Sequence, residues 1–149
     1  MSASLRISDN CTHAIRSKKV EENTALLVFA DLQGKEQVKL TSDKLYYDGG
    51  IISFDDSKIA FYADFGDSSA IGIIDCDGRN LRMIRYPGQN YCPTWSPDAD
   101  WLVLNQAVPR TEIINIDIAA IELEAGSTPI PIVTKPYRES EPNWRSLVK

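Results

Sequence analysis

The chain has 149 residues, 43% of them apolar and 25% charged, with a net charge of −5 and one histidine. That composition suits a soluble globular domain with its own core and excludes a disordered chain. It also excludes a nucleic-acid partner, which needs a basic stripe, and a membrane-spanning helix, which needs about 20 consecutive apolar residues.

The first ten residues lack the apolar stretch of a secretory signal. A cytoplasmic location follows, or a periplasmic one if an export signal has been removed. Cys11, Cys76 and Cys92 form an odd set with no CxxC pair, which argues against a disulfide framework or a zinc site.

A first unit is predicted over residues 4–41. Leu5-Arg6-Ile7-Ser8-Asp9 supplies an inner strand and turn, and His13-Ala14-Ile15-Arg16 a second strand. Ala25-Leu26-Leu27-Val28-Phe29 is the third and Gln37-Val38-Lys39-Leu40 the fourth. His13 is predicted as a strand residue facing solvent or a satisfied partner, not as a base.

The second unit, residues 51–86, opens with Ile51-Ile52-Ser53 and a turn at Asp55-Asp56-Ser57. Ile59 to Ala63 and Ala70 to Asp75 read as strands around a polar loop. Asp77-Gly78 marks a hairpin, since glycine supplies the positive φ such turns demand. Leu81 to Tyr86 alternates apolar and polar residues, as a half-exposed outer strand does.

The third unit, residues 93–133, repeats the order. Pro93-Thr94-Trp95-Ser96 precedes a turn at Pro97 to Asp100, then Trp101 to Asn105 and Glu112 to Asp117 read as strands. An insertion around Ala125-Gly126-Ser127 leads to Ile130 to Val133, where Pro131 suits an edge because its missing N–H costs no ladder bond. Pro142-Asn143-Trp144-Arg145-Ser146 begins a further unit. No helix is predicted, so the fold class is all-β.

The units echo one another at roughly forty-odd residues, a period that signals stacked repeats. Asp31-Leu32-Gln33-Gly34 is answered by Asp75-Cys76-Asp77-Gly78, and more loosely by Asp117-Ile118. Ser53-Phe54-Asp55-Asp56 is answered by Ser96-Pro97-Asp98-Ala99. A tryptophan on an inner strand fills the wedge between neighbouring sheets, and Ser and Asp at a tight turn bond their own backbone.

At Pro93-Thr94-Trp95-Ser96-Pro97-Asp98 and the following Trp101-Leu102-Val103-Leu104, the chain resembles the TolB-type, WD-repeat-like β-propeller family. Repeats there read Pro-x-Trp-Ser-Pro-Asp-Gly, then an Ile-Ala-Phe-like strand, then an Asp-x-Asp-Gly hairpin. Lys58-Ile59-Ala60-Phe61 and Asp75-Cys76-Asp77-Gly78 match that pattern, and Pro142 to Ser146 matches in part. Ala99 stands where the family has Gly, and Phe54 where it has Pro, which predicts distorted turns. The resemblance implies blades around a central channel, with protein or ligand binding and catalysis in some members.

About three four-stranded antiparallel blades make half a propeller, since closed rings carry 4–8. Two chains closing a six-bladed ring about a two-fold axis, or a larger propeller partner, would satisfy the bare flanks. In the dimer, Pro142 to Ser146 would pair with the partner's first blade.

The inter-blade loops, residues 41–50, 87–92 and 135–141, gather on one face. With the adjoining strand ends they hold Tyr46, Tyr47, Asp48, Tyr86, Gln89, Asn90, Tyr91, Tyr137, Arg138 and Glu139, leaving Tyr62 elsewhere. Tyrosines supply rigid amphipathic contact area, or else they seal the blade junctions. The expected function is a non-catalytic module holding a peptide, protein segment or small ligand there, with no cofactor. Arg138 and the carboxylates would orient the ligand. No Gly-x-Ser-x-Gly elbow occurs, and the loop pairs Asp55-Asp56 and Glu139/Glu141 read as solvated. A calcium reading of Asp75-x-Asp77-Gly78 lacks the further carboxylate of an EF-hand. The alternative function is a carbohydrate lyase or hydrolase using two carboxylates.

Overall fold

The computed structural model describes residues 5–7, 13–21, 24–41, 45–85, 89–110, 113–123 and 128–133; at 5–7, 89–92, 108–110 and 113–116 it describes backbone alone. The elements are β1 (Leu5–Ile7), β2 (His13–Glu21), β3 (Thr24–Asp31), β4 (Glu36–Lys39), β5 (Tyr46–Ile52), β6 (Lys58–Asp64), β7 (Ser69–Asp75), β8 (Arg82–Ile84), β9 (Gln89–Trp95), β10 (Trp101–Arg110), β11 (Ile113–Glu122) and β12 (Ile130–Val133). Each run of four is an antiparallel meander. The all-β expectation holds, and the three meanders are the blades of a partial propeller.

One parallel bridge, Ala25 to Tyr46, joins the first blade to the second, with the Ala25 N–H donating to the Leu45 carbonyl at 3.2 Å. It forms there because β4 pairs only with Val28 to Ala30, leaving the start of β3 with a free edge.

The turns show the repeat at atomic scale. After β5, the Ser53 hydroxyl donates to Asp55 Oδ1 (2.6 Å) and accepts from the Lys58 N–H (2.9 Å), while the Asp56 N–H donates to the Ser53 carbonyl (2.9 Å). After β9, the Ser96 hydroxyl donates to Asp98 and accepts from the Trp101 N–H (3.0 Å), and the Ala99 N–H donates to the Ser96 carbonyl (3.0 Å). The predicted distortion is absent. Instead Asp56 (φ 56°) and Ala99 (φ 60°) adopt the left-handed conformation usually left to glycine. The hairpins after β3 and β7 also match: Gly34 donates to the Asp31 carbonyl and Gly78 to the Asp75 carbonyl, each at 2.9 Å with φ near +80° (81° and 84°).

Asp117 does not belong to that series. It pairs with Gln106 inside β11, and the counterpart of the Lys58–Asp75 pair is Trp101–Glu122. The β10–β11 hairpin is longer than predicted: β10 runs on past Asn105 to Arg110 and β11 past Asp117 to Glu122, because the apolar run Ile118 to Ile121 continues the strand. The connection predicted around residues 125–127 lies mostly outside the described residues, as do Ser8, Asp9, Tyr86 and Pro142 to Ser146.

Side chains alternate across each blade, so every blade has a front, facing the next, and a back. The front of the first blade (Ile15, Leu27, Phe29) meets the back of the second (Ile59, Phe61, Ile74). The front of the second (Ala60, Ile71, Ile73) meets the back of the third (Leu102, Leu104, Ala119, Ile121), with Trp95 wedged at the junction. Trp95 is 2% exposed, and its indole N–H donates to the Ile51 carbonyl at 3.1 Å. The middle blade is thus buried on both faces, which accounts for six consecutive buried residues in β7.

Candidate functional site

β5 begins five residues before the predicted start at Ile51, so Tyr46, Tyr47 and Asp48 lie on an inner strand and not in a loop. Alternation along that strand separates their roles. Tyr47 points into the first junction, is 4% exposed, and packs edge-on against Phe61 at 5.7 Å between ring centroids. Its ring offers no surface to a ligand. Tyr46, by contrast, is 36% exposed.

The β5–β6 register sets Tyr46 opposite Asp64 and Asp48 opposite Tyr62. Cross-strand partners share a face, so two tyrosines and two aspartates alternate over a small area at this end of the second blade. The Tyr46 hydroxyl donates to Asp48 Oδ2 at 3.1 Å. Asp48 Oδ1 accepts from the Ser17 hydroxyl (2.5 Å) and from the Gly49 N–H (2.7 Å), where Gly49 at φ 65° bends the strand. Asp64 Oδ1 accepts from the Gly66 N–H at 2.7 Å. Burial, then the Asp48 charge, raises the Tyr46 phenol above its ordinary pKa; burial, then Asp64, does the same for Tyr62. Both phenols are therefore neutral donors at physiological pH.

Tyr62 and Asp64 are the members that sequence reading missed. Pairing the start of β5 with the end of β6 finds them, whereas a strand starting at Ile51 does not reach their partners. Trp95 occupies in β9 the place of Ile52 in β5, so Gln89, Asn90 and Tyr91 start β9 at the level of Tyr46, Tyr47 and Asp48. Tyr137, Arg138 and Glu139 lie outside the described residues.

Nearby, the Arg85 guanidinium stands 3.9 Å above the centre of the Phe65 ring, pinning the β6–β7 loop. His13 stacks on Phe29 with 4.6 Å between centroids. At the opposite end, burial and the surrounding Asp56, Asp55, Asp75 and Asp77 push the Cys76 thiol up to about 11, so it is an inert, protonated thiol. Among the described residues, no group of three or more His, Cys, Asp or Glu is placed to hold a metal ion, and no helix is long and apolar enough to cross a membrane.

Sequence comparison finds no matching family model and no matching curated protein. Structural comparison finds a putative TolB from Agrobacterium tumefaciens, at 14% identity and a TM-score of 0.70, covering 89% of this chain and 50% of that one. TolB from Acinetobacter baumannii gives 15% identity and a TM-score of 0.70, over 94% of this chain and 34% of that one. A prolyl endopeptidase aligns at 17% identity and a TM-score of 0.59, over 90% of this chain and 22% of that one. The chain spans half the length or less of these structures. They show its fold, a TolB-type β-propeller arrangement.

Proposed function

We propose, from this TolB-type propeller fold, that the chain is a non-catalytic interaction module. It holds a partner segment at the end of the second blade, where Tyr46, Asp48, Tyr62 and Asp64 come together. The observation that carries this reading is the β5–β6 register, which sets two phenols beside two carboxylates with Tyr46 exposed. Phenol faces offer stacking and cation contacts, while neutral hydroxyls and carboxylates bond a peptide's N–H and ammonium groups. Gln89, Asn90, Tyr91, Tyr137, Arg138 and Glu139 extend the set as further candidates.

Peptide-array binding tests the reading. Tyr46→Ala/Tyr62→Ala is expected to abolish binding with little change in melting temperature. Binding that survives this double change refutes the site. A glycan-cleavage panel tests the alternative enzyme reading, since turnover would require a carboxylate pair at work in the channel.

The two-chain ring belongs to the same proposal. It requires the front of the third blade to receive the back of the second copy's first blade. That back carries Arg16 where the other blades carry Phe61 and Leu104, and Arg16 and Lys18 both bond Glu36 Oε1, at 2.6 and 2.8 Å. Light scattering decides the matter: a dimer at micromolar concentration supports the ring, and a monomer removes it.

A further inference from the structure

Side chains alternate along β10 and β11, so the back of the third blade continues past Leu104 and Ala119 to the register partners Gln106 and Asp117. Leu104 and Ala119 pack with Ala60 and Ile71 of the second blade's front. The next residues along that front are Tyr62 and Asp64, with Asp48 and Tyr46 opposite them. Gln106 and Asp117 therefore form the facing wall of the site, at the mouth of the junction between the second and third blades. Gln106 is half-buried and Asp117 is 3% exposed. Burial first, then Asp48, Tyr62 and Asp64, raise the Tyr46 phenol, so these four side chains act on one small volume. Asp64 has no ion-pair partner among the described residues, where the pairs are Arg16 and Lys18 with Glu36 and Arg79 with Asp77.

We propose that this cleft receives the ammonium of a lysine side chain on the partner segment. The inference rests on the ligand-site reading above and names the group that site holds. Bonds already made decide between the two basic side chains. Asp48 Oδ1 accepts from Ser17 and Gly49 and its Oδ2 from Tyr46, while Asp64 Oδ1 accepts from Gly66. Neither carboxylate presents two open oxygens side by side, as the planar fork of arginine requires. An ammonium is a compact charge whose three donors can meet single oxygens from different directions. Asp64 Oδ2, to which nothing donates among the described residues, supplies one such oxygen. The Tyr46 hydroxyl oxygen, whose proton goes to Asp48, supplies another. The apolar stem of the lysine lies along the exposed Tyr46 ring, and Gln106 and Asp117 close the far side with an amide and a further carboxylate.

The test sets each lysine-containing peptide of the array beside its Nε-acetyl-lysine and arginine counterparts and titrates them against the full chain. Acetylation is expected to weaken binding about tenfold or more, as loss of a hydrogen-bonded charge does, and arginine to bind several-fold more weakly than lysine. Asp64→Asn keeps an acceptor for the Gly66 N–H, so it is expected to weaken the lysine peptides as acetylation does and to leave the acetylated ones unchanged. Gln106→Lys, which sets an ammonium in the cleft, is expected to act likewise. Binding that needs Tyr46 and Tyr62 yet ignores acetylation, or that takes arginine as tightly as lysine, overturns the inference and leaves the site standing. Lysine-dependent binding untouched by Asp64→Asn and Gln106→Lys puts the ammonium elsewhere and overturns it too. An array that retains no lysine peptide, or binding that survives Tyr46→Ala/Tyr62→Ala, removes the inference together with the site.

Discussion

At the scale of single residues, the turn after β9 shows how the chain departs from its repeat pattern without losing the geometry. Left-handed backbone costs a non-glycine residue about 1–2 kcal/mol. The Ala99 methyl offsets part of that, because it is 6% exposed within the core between the second and third blades. Ala99→Gly is therefore expected to change stability by less than about 1 kcal/mol, whereas β-branched Ala99→Val should cost about 2 kcal/mol or more. Urea denaturation of the two variants checks this, and equal effects would contradict it. The same turns predict an acid response. Asp55 is held below its ordinary pKa chiefly by the Ser53 hydroxyl, and Asp98 chiefly by the Ser96 hydroxyl. Their contribution is complete above the unfolded carboxyl value of about 3.9 and is lost as pH falls through the lower folded value. Melting temperature should drop as pH falls below about 4, and the Asp55→Asn/Asp98→Asn variant, weaker at neutral pH, should drop by less. An equal drop would assign the acid response to other groups.

Among elements, the tightest fit is between β6 and β7. Phe61 pairs with Gly72, and a methyl at Gly72 would stand 2.2 Å from the Phe61 ring. Gly72→Ala should cost about 1–3 kcal/mol, as overpacking does, and Phe61→Leu in the same chain should recover part of the loss. A double variant as unstable as the sum of the singles would contradict the contact. Ser17→Ala should cost about 1–3 kcal/mol by leaving Asp48 short of a donor at the first junction; urea denaturation measures it, and an unchanged midpoint would contradict the role. Element types were readable because glycine and aspartate punctuate short β-branched runs. Element lengths were less so. The pair Gly49-Gly50 reads as loop, yet it lies within β5, where Gly49 bends the strand and Gly50 approaches Ile15 so closely that a Cβ would fall 2.7 Å from its methyl. That misplaced start hid Tyr62 and Asp64 from the candidate site and left Tyr47, a packing residue, in it.

For the molecule as a whole, blade architecture was legible because the repeat fixes which strand follows which. What a local pattern cannot show is the order of burial, which depends on neighbours in the stack. The arrangement makes the second blade the interior of the molecule, with Ile59, Phe61, Ile71 and Ile74 all at or below 1% exposure. The β12 edge, by contrast, leaves Ile130 and Ile132 each 55% exposed. Stability should be distributed accordingly, since opening the second blade breaks two junctions and opening an outer strand breaks none. Residue-resolved amide hydrogen exchange measures this directly. The stacked-blade account predicts the slowest exchange at the paired amides of β6 and β7, and far faster exchange in β4, β8 and β12. Uniform protection across the described strands, or slowest exchange in the outer ones, would contradict it.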